Sequence, residues 1–450
     1  MRRADWFGVV SKASSGQPAL RMNDQANNTA SGAIPAAGST RTSVLWTLGI
    51  EAGGVLASLA TFLILAAVFG PAAYGVLGAV LALALIAGPF ASFGASPMMM
   101  RRVANRASVR ADFTTAFTTL CLGTFGATLA ITALQPLIFS GISSGAVALL
   151  VLGQLPLFWI VELTIHLSLA LGQQRVGAII RLSTAAVRIA ALVAFWASGS
   201  TSVGGWAVFA AISAAVASAV ALFLAARSFG IRPEFERPQK SEFTEGFAFG
   251  LSNTAEGFLD ASDRPLLVRY DYRPDAGLYN IAYRLIVLSY IPMMALIRAR
   301  DRQIWQAGSV GVRASLDASR SLIRQTVAAS AVVAAAAYVL APVAIGLLDE
   351  TWEDATIILR WLSVLPLLKA VQFPLGNILT VSGHPSLRLR LTVLSAIVNL
   401  GLNFLWIPQH SWRGAAAATL ISEGLLTFLV AGAVVSRTRT ERVASGIGPR

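Results

Sequence analysis

Long apolar runs separated by short polar breaks dominate the sequence between Val44 and Val435. A helix that spans a membrane needs about 20 predominantly apolar residues. Eleven segments meet this requirement: 44–69, 73–96, 112–139, 144–170, 178–197, 203–226, 276–298, 321–347, 354–379, 387–407 and 415–435. The pattern therefore predicts an all-α polytopic membrane protein.

A twelfth segment, 243–268, is more polar, and a simple hydropathy test rejects it. It carries five charged residues: Glu245, Glu256, Asp260, Asp263 and Arg264. If the segment spans the membrane, 25 Lys or Arg residues lie on the side of both termini and four on the other side. If it does not span, eleven of those 25 change sides. The positive-inside rule therefore predicts twelve spans with both termini in the cytoplasm.

Twelve spans divide evenly into two six-helix bundles. The predicted organisation is a disordered cytoplasmic tail (1–42), an N-terminal bundle (43–228), a cytoplasmic linker (229–242), a C-terminal bundle (243–436) and a second cytoplasmic tail (437–450). Three proline pairs recur at offsets of 203, 203 and 206 residues: Pro71 and Pro274, Pro89 and Pro292, Pro136 and Pro342. This spacing favours a parallel repeat whose axis follows the membrane normal.

Composition agrees with a membrane protein, because 55% of the residues are hydrophobic and only 13% are charged, against about 25% in soluble domains. The net charge of +13 predicts contact with anionic lipid rather than nucleic acid, since no basic segment carries interleaved aromatic residues. Cys121 is the single cysteine and the three histidines are scattered, so we expect no disulfide, metal site or cofactor. No enzyme motif occurs in a suitable context.

An acidic stripe is the main candidate for ion coupling or gating. Glu256, Asp260 and Asp263 follow an i, i+4, i+7 spacing, which places them on one helical face with Arg264 beside it. We expect this stripe to face a water-filled cavity, because charges facing lipid are costly. Glu256 or Asp260 is then the candidate proton carrier, and Asp263 a gate held ionised by Arg264. The alternatives are an interfacial helix and a structural stripe of ion pairs.

Three further polar residues lie inside predicted spans of the first half. Glu51 is a competing proton carrier, because burial disfavours the charged form of a carboxyl group. Pairing with a neighbouring arginine to lock helix packing is equally compatible with its position. Glu162 and His166 are four residues apart, which permits either a proton relay or a simple packing pair.

Buried cations form the second candidate set, and each lies deep inside a predicted span: Arg188, Arg284, Arg360 and Lys369. Arg181 shares a helical face with Arg188, although it lies near a helix end and could extend to the interface. Arginine binds phosphate oxygens bidentately, so several arginines in one cavity suit a pyrophosphate. Arg360 and Lys369 point to opposite sides of their helix, so at least one needs another partner. We expect Arg188 and Arg284 to contact phosphate first.

Three stretches carry a family resemblance. The first is FGPAAYGVLGAVLALALIAGPFASFGASPMMMRR at 69–102; the second runs from Asp263-Arg264 to AGLYNIAYRL at 276–285; the third is 374–422, which includes PLGNILTVSGHPSLRLR and RGAAAATLIS. Together they resemble the polysaccharide transporter branch, the Wzx-type flippases, of the multidrug/oligosaccharidyl-lipid/polysaccharide (MOP) exporter superfamily.

This resemblance implies two six-helix bundles that form a V around a central cationic cavity opening alternately to each side. It implies an undecaprenyl-pyrophosphate-linked oligosaccharide as substrate, the bacterial inner membrane as location, and polysaccharide polymerase or chain-length proteins as candidate partners. Asp263 and Arg264 match the family's charged pair in its seventh helix. A multidrug exporter of the same superfamily, a membrane-embedded glycosyltransferase or polymerase, and a scaffold are the competing readings.

Overall fold

The computed structural model describes residues 40–104, 108–139, 141–231, 234–235 and 240–444. Throughout this part the chain is helical and contains no strand. The predicted tail up to residue 39 lies outside the described residues, and so do residues 232–233 and 236–239 of the linker predicted at 229–242 and the side chain of Glu51.

The N-terminal half begins with a kinked helix. Its described helices are α1 (Thr40–Ser92), α2 (Ala95–Ala104), α3 (Val109–Ile138), α4 (Ser144–Ala170), α5 (Gln174–Ala197) and α6 (Val203–Phe229). Gly70 interrupts α1 with a φ of 66°, a conformation that glycine adopts without the clash of a Cβ atom. This kink separates the first two predicted spans. Ser202 caps α6 by accepting a hydrogen bond from the Gly205 amide at 3.0 Å.

The C-terminal half contains more helix breaks. Its described helices are α7 (Lys240–Ala261), α8 (Asp263–Arg269), α9 (Arg273–Leu288), α10 (Ile291–Arg298), α11 (Asp301–Gly308), α12 (Val312–Ile345), α13 (Ala355–Leu362), α14 (Leu365–Val381), α15 (Pro385–His410) and α16 (Trp412–Ala444). Pro292 and Pro366 lie in the first turns of α10 and α14. Proline has no amide hydrogen and cannot continue a preceding helix without strain, which explains why two predicted spans are each divided in two.

Ten helical stretches in the described part are long and apolar enough to cross a membrane. The first of them, Ala60–Met100, runs through the kink at Gly70 and therefore contains parts of two spans. The polar segment formed by α7 and α8 is not among the ten, as its sequence led us to expect. Counted with this segment and with both arms of α1, the transmembrane segments number twelve, and the predicted fold class is confirmed.

The last helix extends beyond the predicted last span. Helix α16 continues to Ala444, so the tail predicted at 437–450 is helical in its first part. The reason is a tertiary contact: the Glu441 carboxylate accepts hydrogen bonds from the amides of Val312 and Arg313 at 2.8 and 3.0 Å. These amides open α12 and have no partner inside their own helix.

Apolar side chains face outward as well as inward. Phe125, Trp196, Phe223 and Phe428 expose most of their surface, which a water-facing protein would avoid but lipid accommodates. The largest buried cluster contains residues of both halves. Tyr74 of the first half, for example, contacts Trp352 of the second edge to face, with ring centroids 5.5 Å apart.

The arm of α1 after Gly70 is the main contact between the halves. Near its start, a Cβ atom built on Gly277 of α9 would overlap the carbonyl group of Pro71, with 2.7 Å to the carbon. Near its end, the Thr254 hydroxyl of α7 donates to the Ile86 carbonyl at 3.1 Å. The halves therefore touch near both ends of this arm.

Candidate functional site

A helix break at Ser262 interrupts the acidic stripe. Helix α7 ends at Ala261 and α8 begins at Asp263, so the stripe does not continue along one regular helix. The Ser262 hydroxyl donates to Asn399 Oδ1 at 2.9 Å, and Asn403 Nδ2 donates to the same oxygen at 2.9 Å. This side-chain network joins the break to α15, while the Ser262 amide keeps its helical hydrogen bond to the Phe258 carbonyl.

Asp263 and Arg264 lie directly after this break, and both are buried. Asp263 Oδ1 accepts a hydrogen bond from the Arg264 amide at 2.8 Å and lies 3.7 Å from Arg264 Nε. The Arg264 guanidinium also donates to the Asp260 carbonyl at 2.7 Å and lies 4.4 Å from the Tyr283 ring centroid. The predicted charged pair therefore exists as a packed ion pair.

Asp260 belongs to a second charged cluster, which the sequence did not predict as a unit. Lys369 Nζ of α14 lies 3.2 Å from Asp260 Oδ1 and 2.7 Å from Glu423 Oε1 of α16. The Tyr283 hydroxyl of α9 donates to the same Asp260 oxygen at 2.9 Å. The ammonium group and the two carboxylates thus join three helices, and α9 joins them through the Tyr283 hydroxyl.

Glu256 pairs with Arg388, which lies near the start of the predicted span 387–407. Arg388 Nη2 of α15 donates to Glu256 Oε1 at 2.9 Å. Together with Asp260, Lys369 and Gln372, this pair lines a cavity of about 60 Å³ inside the second half. Each acidic group of the predicted stripe therefore has a basic partner.

Arg188 and Arg284 differ from the charges above. Within the described part of the chain, neither guanidinium makes a hydrogen bond or an ion pair with a carboxylate. Arg188 lines a small cavity together with Phe62 and Gln154, and Arg284 Cζ lies 3.1 Å from the Phe62 ring centroid. Phe62 of the first half therefore contacts Arg284 of the second half and lines the same cavity as Arg188.

The remaining predicted residues lie elsewhere. Glu162 Oε1 forms an ion pair with Arg181 Nη2 at 2.5 Å. His166 Nδ1 donates to the Glu162 carbonyl at 2.8 Å and lies 3.8 Å from the carboxylate, so the two side chains are close enough for either predicted role. Arg360 donates to the Tyr338 carbonyl at 3.3 Å and faces the Tyr338 ring.

Glu423 and Arg388 are the charged residues that the sequence analysis missed. Glu423 is a lone carboxylate in an apolar run, the same signal that singled out Glu51. Arg388 was counted among the cations at cytoplasmic helix ends, because it lies near the start of the predicted span 387–407. Only the packing of α7 against α15 brings it to Glu256.

Comparison with known proteins agrees with this fold. The lipid II flippase MurJ, in an inward closed conformation, aligns with a TM-score of 0.67 at 12% identity, covering 87% of each chain. An inward-facing multidrug resistance MATE transporter of the MOP superfamily aligns at 0.59 with 16% identity, covering 88% of this chain and 96% of its own. Its outward-facing counterpart aligns at 0.58 with 15% identity, covering 92% and 100%.

These neighbours define the class: a multi-pass membrane protein with the two-bundle fold of MOP transporters and flippases. The profile of a family described as polysaccharide biosynthesis protein matches residues 41–297, more than half of the 450. The chain therefore belongs to this family, and it shares its fold with MATE transporters of the MOP superfamily and with MurJ. No curated protein sequence matches the chain.

Proposed function

We propose that this protein is a flippase that moves an undecaprenyl-pyrophosphate-linked oligosaccharide across the bacterial inner membrane during surface or exopolysaccharide synthesis. The observation that carries the proposal is the pair Arg188 and Arg284, two arginines from opposite halves without a carboxylate partner in the described residues. Both side chains are only partly exposed, and unpaired cations inside membrane-spanning helices call for an anion. A pyrophosphate supplies several oxygens to two guanidinium groups at once.

Alternating access is the proposed mechanism. The cavity that Arg188 lines is too small for an oligosaccharide, so the substrate requires the halves to separate first on one side and then on the other. The sugar and pyrophosphate would pass between the halves while the prenyl chain stays in lipid. Anionic lipid, polysaccharide polymerase and chain-length proteins are the proposed partners of this activity.

A drug exporter of the MATE type is the second candidate, because MATE transporters share the fold. Export of cationic drugs calls for an accessible carboxylate without a counter-ion. In the described part of the second half, the stripe carboxylates Glu256, Asp260 and Asp263 are already paired with Arg388, Lys369 and Arg264. This charge distribution favours an anionic substrate over a cationic one.

The test measures flipping of an undecaprenyl-pyrophosphate-linked oligosaccharide by the purified protein in liposomes. Arg188→Ala and Arg284→Ala should each slow transport by about 10- to 100-fold, the equivalent of one or two charge-assisted hydrogen bonds. Membrane abundance should stay within about twofold of wild type. Arg188→Lys and Arg284→Lys should be intermediate, because lysine keeps the charge but loses the bidentate fork.

Arg360→Ala is the matched control. Arg360 is also an arginine inside a span, but it contacts Tyr338 and neither Arg188 nor Arg284. This variant should transport normally. A parallel fall of transport and abundance in the Arg188 and Arg284 variants would make these residues structural. Transport of a cationic dye in place of the lipid-linked sugar would support the exporter instead.

A further inference from the structure

A single lysine pairs with two carboxylates in the interior of the second half. Lys369 Nζ contacts Glu423 Oε1 at 2.7 Å and Asp260 Oδ1 at 3.2 Å. The Lys369 and Glu423 side chains are 6% and 1% exposed, whereas Asp260 is 37% exposed and lines the adjoining cavity. The ammonium group therefore lies between one buried carboxylate and one that water reaches.

The surroundings of the ammonium are rich in oxygen atoms. Glu423 Oε2 and Gln372 Oε1 are buried and make no hydrogen bond with the described residues. Gln372 also lines the cavity beside Asp260. Oxygen atoms of carboxylates and amides are the ligands that hard metal cations prefer. Without Lys369, the buried Glu423 carboxylate would be left uncompensated beside the Asp260 carboxylate, and an uncompensated buried charge is strongly unfavourable.

We propose that Lys369 takes the place of a bound metal cation. Its ammonium group occupies the position that an alkali-metal ion would otherwise take between Asp260 and Glu423, so the wild-type protein needs no sodium or potassium ion there. Removal of the lysine side chain converts the cluster into a binding site for such an ion. This charge balance of the second half does not depend on the identity of the transported substrate.

Binding of radiolabelled sodium to the purified full-length protein in detergent tests this directly, with choline as the inert counter-ion. Wild type should bind no sodium at this site, and Lys369→Ala should bind about one ion per chain, because the carboxylates and Gln372 then supply the ligands. Lys369→Ala/Glu423→Gln should lose this binding, since one of the two negative charges is gone.

Arg388→Ala provides the matched control. It also removes a cation from a carboxylate of the same cavity, but Glu256 is 38% exposed, so water can solvate the freed charge. This variant should bind no stoichiometric sodium. Sodium binding by wild type, or none by a folded Lys369→Ala protein, overturns the proposal.

If Lys369→Ala does not fold, thermal unfolding of the wild-type protein tests the proposal instead. The Tm in sodium, potassium or lithium chloride should equal that in choline chloride at the same ionic strength. A rise of about 2–4 °C or more in one of the metal salts would reveal a cation site in the wild-type protein and contradict the proposal. The assay contains no lipid-linked substrate, so failure of the proposed function leaves its result unaffected.

Discussion

Charged side chains inside the described helices are arranged mainly as pairs. A charge at the centre of a bilayer costs about 2.5–3.5 kcal/mol, and a partner of opposite sign offsets part of that cost. The pair Glu162 and Arg181 illustrates this in the first half, with side-chain exposures of only 15% and 23%. Arg188 and Arg284 depart from the pattern, which is why they are the strongest candidates for contact with substrate.

The Glu162–Arg181 pair should act as a structural unit. Glu162→Gln and Arg181→Ala should each destabilise the protein, and a double-mutant cycle should give a coupling energy of about 1–3 kcal/mol. Transport by the double variant should fall only as far as its stability falls, because the pair is separate from the proposed substrate contacts Arg188 and Arg284. Thermal unfolding in detergent and transport in liposomes measure the two effects separately.

Asp317 and Arg320 supply the control for this cycle. Their ion pair, at 3.1 Å, is exposed at 51% and 65%, so its coupling energy should lie below about 0.5 kcal/mol. Equal coupling in the two cycles would show that burial does not strengthen the Glu162–Arg181 pair. Loss of transport without loss of stability in the Glu162 variant would support the proton relay of Glu162 and His166 instead.

At the scale of elements, glycine and proline determine how the helices bend and how closely they approach. Gly70 kinks α1, and Pro292 and Pro366 begin new helices within single spans. Gly75 and Gly277 allow the backbones of α1 and α9 to touch, because a Cβ atom on either residue would overlap the other helix. Van der Waals packing of small residues is a principal source of helix association in lipid.

Gly277→Val should therefore destabilise the observed contact by about 1–3 kcal/mol, the usual cost of overpacking, since the obstacle is the Pro71 backbone. The expected result is a lower Tm in detergent. Gly432→Val is the control: Gly432 lies in helix α16 and has nothing within 4 Å of its added Cβ atom, so its Tm should remain near wild type. A wild-type Tm for Gly277→Val would contradict the close helix contact.

At the scale of the whole molecule, the apolar outer surface and the twelve transmembrane segments define a membrane protein, while the orientation remains a prediction from the distribution of Lys and Arg. In a Cys121→Ser background, cysteines at Ser200 or Asp349 should react with an impermeant reagent added outside the cell. Cysteines at Val109 or Ser436 should not. Reversed accessibility at Asp349 alone would disprove the crossing by α7 and α8.

The sequence by itself determined the membrane fold. Apolar runs of sufficient length fix the helices locally, and the excess of cations on one side predicted the crossing of a segment that hydropathy rejects. Residue spacing also placed Glu256 and Asp260 on one face of their helix, because helical periodicity is a local property.

Tertiary structure decided which charges are neutralised. Arg388 reaches Glu256 across 132 positions of sequence, and Lys369 reaches Asp260 across 109. Such pairings depend on how α7, α14, α15 and α16 pack against one another, and hydropathy and helical periodicity describe one helix at a time. For the same reason the sequence could nominate Arg188 and Arg284, but only the packed helices show that no carboxylate of the described residues pairs with them.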